Sequence, residues 1–126
     1  MIAIDLGLKR IGLAQYVQGV VIPIPSIFRK NRSQAANDLS KILKEKDIKM
    51  LIVGIANEIM KKRAKHFLGL IEFNGEVKFI DESISTKEAE ELIRDNPRRK
   101  HMRKNGDLDS ISAMIILQRY IALNPV

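Results

Sequence analysis

Cysteine is missing from this chain altogether. Its absence excludes disulfides, thiolate metal sites and cysteine nucleophiles, and leaves carboxylates and two histidines for any metal-binding or acid–base chemistry. Also missing is any run of about 18 apolar residues, the length that crosses a bilayer. No basic-then-apolar leader precedes a cleavage-like site, so the expectation is a cytoplasmic protein without a membrane partner. There is no internal repeat, low-complexity tract or linker, and 126 residues fit a single domain, 1–126, able to bury a true hydrophobic core. Acid is scarce in one place above all. Between Arg94 and Lys104 stand six Lys/Arg and one acid, a local net charge of +5 in a chain whose total is +7. So one-sided a run is more often a polyanion contact than a merely solvated face.

What is present is ordered as strands first and helices later. Met1-Ile-Ala-Ile-Asp-Leu-Gly-Leu-Lys-Arg-Ile-Gly-Leu-Ala14 reads as two apolar strands joined by a tight turn, with Gly7 and Gly12 bracketing the tip and Lys9 and Arg10 on it. Val17-Gln-Gly19 is a second turn, and Val20-Val-Ile-Pro-Ile24 a third strand whose Pro23 argues for a sheet edge. Pro25 to Arg32 is expected to be a connecting loop. From Ser33 the apolar spacing becomes helical and runs to about Asp47, with Ala36, Leu39, Ile42 and Leu43 on one face. Met50-Leu-Ile-Val-Gly54 has the continuous apolar character of a parallel strand buried on both faces. A helix from about Asn57 to Glu72, carrying Ile59, Phe67, Leu70 and Ile71 inward, a strand over Val77–Asp81, a capped helix opening at Ser85-Thr-Lys-Glu88 and a final buried helix over Asp109–Ile121 complete the order. The expected fold is α/β: a three-stranded antiparallel meander plus two parallel strands in one mixed five-stranded sheet, flanked by helices.

Three carboxylate positions stand out within that order. Asp5 interrupts an apolar strand, where desolvating its charge is costly unless a cation compensates. Asp81-Glu82 closes the last strand, and Asp109 opens the last helix with Ala113 and Ile116 on the face that presses it to the sheet. Ligands of open α/β sheets bind beyond the carboxyl ends of parallel strands, so all three are candidates to meet at one rim. Such acids repel one another unless protonated or metal-bound, and hard oxygen donors favour Mg²⁺ or Mn²⁺. A pair of such ions is a standard device for phosphodiester cleavage. Phosphates would be drawn by Lys9 and Arg10, by Arg98, Arg99, Lys100, Arg103 and Lys104 in the basic loop, and by the Lys61–Lys65 cluster. Each acid also has a plainer role. Asp5 can pair with a neighbouring base, Asp81 can cap a turn, Asp109 can complement a helix dipole, and Asp107 reads as a solvated loop acid before it reads as a substitute for Asp109. His66 and His101 show no paired acid and are not assigned to catalysis.

Four stretches, Ile4-Asp-Leu-Gly-Leu-Lys-Arg-Ile-Gly-Leu-Ala14, Leu51-Ile-Val-Gly54, Asp81-Glu-Ser-Ile-Ser-Thr-Lys-Glu-Ala-Glu90 and Asp109-Ser-Ile-Ser-Ala-Met-Ile-Ile-Leu-Gln118, together resemble the YqgF family. Its members are known as pre-16S rRNA nucleases or Holliday-junction-resolvase-like proteins with an RNase H-like fold. The resemblance implies a metal-dependent endonuclease acting on structured nucleic acid, either a ribosomal RNA precursor, within precursor particles, or branched DNA. It carries Asp5, Glu82 and Asp109 over as catalytic acids, and Asp5, Asp109 and the Asp81-Glu82 pair as Mg²⁺ or Mn²⁺ ligands. Ser83 stands where the family typically has Arg, and the segment after Gly54 is shorter than usual. A nucleic-acid-binding module of the same fold with a weakened site is therefore the alternative to an active enzyme. Asp5-Leu-Gly7 with Gly12 also resembles the phosphate-binding hairpin of sugar kinases and actin-like ATPases, which close two domains over ATP where this chain has length for one.

Overall fold

The computed structural model describes residues 1–81 and 107–125, the first three residues of the last helix by backbone alone. The strands are β1 (Ile2–Leu6), β2 (Arg10–Val17), β3 (Val20–Phe28), β4 (Met50–Ile55) and β5 (Glu76–Asp81), and the helices α1 (Arg32–Glu45), α2 (Glu58–Leu68) and α3 (Asp107–Leu123). They form one five-stranded sheet in the order β3-β2-β1-β4-β5, antiparallel from β1 to β3 and parallel across β1, β4 and β5. The mixed sheet is the one expected from the sequence. The carboxyl ends of all three parallel strands lie along one rim.

Strand alternation divides the core between the two faces of the sheet. Ile2, Ile4, Ile11, Leu13, Leu51 and Val53 pack with Ala36, Leu39 and Leu43 of α1 and Ala64 and Phe67 of α2. Ala3, Ala14 and Ile52 pack on the other face against Ala113, Ile116 and Leu117 of α3. The small side chains of Ala3 and Ala14 let α3 lie close to the middle of the sheet. Both α1 and α2 begin at an asparagine that accepts the hydrogen bond of an orphan amide, Asn31 from Gln34 and Asn57 from Met60.

The third strand departs from the sequence expectation. Residues 25–28, expected in a loop, continue β3, because a bulge absorbs Pro25 without ending the pairing. Ile11 pairs with Ile27 but Leu13 with Ile24, so Pro25 and Ser26 together oppose Gly12. β3 does occupy the sheet edge, as Pro23 requires. The second helix is shorter than its apolar residues suggested. It stops at Gly69, and its inner residues are Ala64, Phe67 and Leu68, which leaves Ile59 65% and Leu70 47% exposed. The capped helix expected from Ser85 lies outside the described residues.

At the bulge the sheet and α3 are joined by one buried hydroxyl. Ser110 Oγ accepts a hydrogen bond from the Leu13 amide at 3.3 Å and donates one to the Ile24 carbonyl at 2.6 Å. Ser110 is fully buried, so deleting its hydroxyl strands two main-chain groups in an apolar interior. Ser110→Ala is expected to lower the unfolding free energy by about 1–3 kcal/mol, read as a shift in urea midpoint at constant slope.

Candidate active site

Asp5 sits one residue before the end of β1, half-buried and in register with Gly12 of β2. Ile2 and Ile4 face α1 and α2 while Ala3 faces α3, so alternation puts Asp5 on the α3 side. Its cross-strand neighbours on that face are both glycines. Gly12 is paired with it on β2, and Gly54 follows Val53, the partner of Ile4 on β4. Neither adjacent strand therefore sets a side chain beside the Asp5 position on the α3 face of the sheet.

The loop that follows Asp5 is held by Arg29. The Gly7 amide donates to the Arg10 carbonyl at 2.9 Å to close the turn, and a Cβ on Gly7 would stand 2.6 Å from that oxygen. Arg29 donates to the Gly7 carbonyl through Nη1 at 2.7 Å and to the Lys9 carbonyl through its own amide at 2.8 Å. The β1–β2 tip is thereby fixed to the end of β3, with Lys9 and Arg10 exposed.

The other acids are distributed unequally. Ser110 bonds the strand residue after Gly12, so the first turn of α3, with the backbone of Asp109, starts over the same part of the sheet as Asp5. Asp81 pairs with Ile55 at the end of β5, but it shares its strand parity with Val77 and Phe79, which pack on the α1/α2 core. Asp81 is thus set on the face opposite Asp5, away from the site expected for it. Its carbonyl accepts a hydrogen bond from Arg119 Nη1 of α3 at 3.4 Å. Glu82, Arg98, Arg99, Lys100, Arg103, Lys104 and the side chain of Asp109 lie outside the described residues. Among the described residues, no three acidic or histidine side chains come together as a metal site.

Several contributors went unread in the sequence. Ser110 is the polar residue between Asp109 and the buried Ile111, and a lone hydroxyl in an otherwise buried helical face was the available signal. Gly54 looked like the end of a strand rather than the space beside a carboxylate. Arg29 had no signal, because its partners are main-chain carbonyls.

Comparisons with known proteins agree with this architecture. The family model described as "RuvX: Holliday junction resolvase" matches residues 1–123. Proteins named "Putative pre-16S rRNA nuclease" from Sulfurimonas denitrificans and from Helicobacter pylori strain G27 are 48% and 46% identical to this chain, over 95% of it and 95% and 93% of their own lengths. One of the same name from Campylobacter jejuni is 44% identical over 97% of this chain and 98% of its own. Among solved structures, the fowlpox virus Holliday junction resolvase aligns with a TM-score of 0.61 at 16% identity, covering 98% of this chain and 99% of its own. The fowlpox resolvase complexed with substrate Holliday junction DNA gives 0.64 at 15% identity, with the same coverage. That likeness is one of fold: the mixed sheet and its helices have an RNase H-like arrangement. On the family match across almost its whole length, the chain belongs to the RuvX family.

Proposed function

We propose that this chain is a divalent-metal-dependent endonuclease that cleaves the precursor of 16S rRNA during ribosome biogenesis, acting as a single domain, 1–126, in the cytoplasm. One observation carries the proposal: a half-buried carboxylate, Asp5, in register with Gly12, shares a face of the sheet with the start of the helix that bears Asp109. The names of the full-length relatives favour the RNA precursor. The family description favours the second substrate, a four-way DNA junction.

The donor set suits a hard cation, since it offers carboxylate oxygens and the chain has no cysteine. Asp5, Asp109 and Glu82 would hold Mg²⁺ or Mn²⁺, with Glu82 preferred to Asp81 because Asp81 shares the strand parity of Val77 and Phe79, on the face opposite Asp5. Such ions, when bound, activate water and stabilise the leaving oxygen of a phosphodiester. The protein's own part is to hold Asp5 in place. The strand ladder fixes its backbone, Gly12 and Gly54 keep the approach open, and Arg29 braces the following turn. Lys9, Arg10 and the basic loop containing Arg98, Arg99, Lys100, Arg103 and Lys104 would contact phosphates without reading sequence.

Purified protein incubated with a 5′-extended 16S precursor fragment and, separately, a four-way DNA junction should cut the RNA in Mn²⁺ and lose cleavage in EDTA. Asp5→Asn should reduce cleavage about 1,000-fold or more, each tenfold being about 1.4 kcal/mol of barrier, while RNA affinity stays within about threefold. Cleavage that survives EDTA or Asp5→Asn would overturn the metal mechanism, and cleavage of the junction alone would replace the substrate. A separate pair of variants tests strand parity: Asp81→Ala should retain cleavage within about threefold, whereas Glu82→Ala should behave like Asp5→Asn. The reverse order would reject Glu82 as the ligand.

A further inference from the structure

On the other side of β1 from Asp5, the rim opens into a cleft of about 750 Å³, within the size range of ligand sites. Leu6 and Gly7 form its wall on the strand side, and Arg29, Arg32, Lys62 and Arg63 surround it, with His66 alongside. Among the described residues, no carboxylate lines it. Its bases come from three elements: Arg29 follows β3, Arg32 begins α1, and Lys62 and Arg63 belong to α2. Their neighbour Lys61 is turned elsewhere, over the Phe79 ring at 5.8 Å.

The cleft is built rather than incidental. The Arg29 guanidinium is fixed by its hydrogen bond to the Gly7 carbonyl and by the Phe67 ring, whose centroid lies 5.5 Å from it. Its positive charge is held at the back of the cleft on a rigid support. Arg32, Lys62 and Arg63 make no ion pair among the described residues. Four cations facing one concave space repel one another, and an anion entering it relieves that repulsion and gains from the focused field.

We propose that this cleft binds backbone phosphates of a single-stranded nucleic-acid segment flanking the bond cleaved at Asp5. The proposal rests on the nuclease function above and adds a second contact region on the opposite face of the sheet. Leu6 and Gly7 directly follow Asp5 in the chain, so the end of β1 is a narrow ridge with the carboxylate on one side and the cleft on the other. A flexible single strand folds over such a ridge, whereas a duplex is far too stiff to do so. Leu8, 85% exposed beside the cleft, offers apolar surface to a base of that strand.

The test measures binding without cleavage, using the Asp5→Asn protein in EDTA and a fluorescent single-stranded RNA over a range of salt concentrations. Adding Arg32→Ala and Arg63→Ala should weaken binding about tenfold and lower the slope of log affinity against log salt by about 1.4, or 0.7 per lost phosphate contact. Lys44→Ala with Lys46→Ala removes the same charge from exposed positions at the far end of α1 and should change the slope by less than half as much. Binding of a blunt duplex should be equally insensitive to both pairs. Arg29 is left intact because it braces the turn, and circular dichroism melts confirm that each variant folds. Equal slopes for the two pairs would overturn the cleft while leaving Asp5-dependent cleavage, and so the nuclease function, untouched. Lower slopes for Arg32→Ala/Arg63→Ala in a protein that never cleaves would keep the cleft and reject the nuclease. Displacement of RNA by millimolar adenosine monophosphate through these same residues, with no dependence on strand length, would reassign the cleft to a mononucleotide and overturn the proposal.

Discussion

A single buried hydroxyl connects the parts of this molecule that matter most. The β2–β3 bulge puts two residues opposite Gly12, which disturbs the ladder beside the buried Leu13 and Ile24, whose main-chain groups need a partner away from water. Ser110 makes the repair from the helix side, accepting from one strand and donating to the next. The geometry admits little else. An alanine leaves both groups orphaned, and a larger polar side chain does not fit a position that is fully buried. The start of α3 is therefore pinned to the row of the sheet next to that of Asp5, and the last helix cannot slide along the face without breaking two buried hydrogen bonds.

The sheet then serves as a partition with different chemistry on its two faces. On the α3 side, small residues dominate near the centre. Ala3, Ala14 and the two glycines beside Asp5 give a shallow, close-packed surface with one charged group in it. The α1/α2 side holds the bulk of the apolar volume, including Leu39, Leu51 and Phe67, and its rim carries arginines and lysines. The division follows from alternation along β1, where Ile2, Ile4 and Leu6 are spent on the large core and Asp5 comes up between them. A carboxylate at an even-numbered position of this strand would have faced Leu39 and its neighbours, with no compensation for its desolvation.

Much of this could be read from the residues. The order of strands and helices, the edge position of β3 and the buried character of β4 follow from local periodicity and from proline, which act over a few residues and are visible in them. Ala113 and Ile116, expected to press α3 onto the sheet, are both fully buried there. What escaped depends on contacts between distant segments. The continuation of β3 past Pro25 requires the bulge, and the bulge is stabilised by a serine 86 positions from Ile24. Ile59 looked like a core residue because the phase of α2 is set by Asn57 and Phe67, and a shift of one position turns an isoleucine to solvent. The acids at Asp81 and Glu82 were indistinguishable as a pair. Asp81 shares the parity of Val77 and Phe79, and which helix layer that face of β5 meets is set by packing that no local pattern encodes. The Arg29 brace was invisible for the same reason, since a guanidinium and an amide that each donate to a main-chain carbonyl leave no complementary residue in the sequence.

The prolines of β3 bear on how the molecule behaves in company. An outer strand with a full set of outward amides invites another chain to extend the sheet, the first step of strand exchange and fibre growth. Pro23 and Pro25 each lack an amide hydrogen, and the bulge at Pro25 twists the strand out of a flat template. The outer border at β3 is thus poorly suited to self-association at high cellular concentration, and this protection comes from residues that take no part in the chemistry.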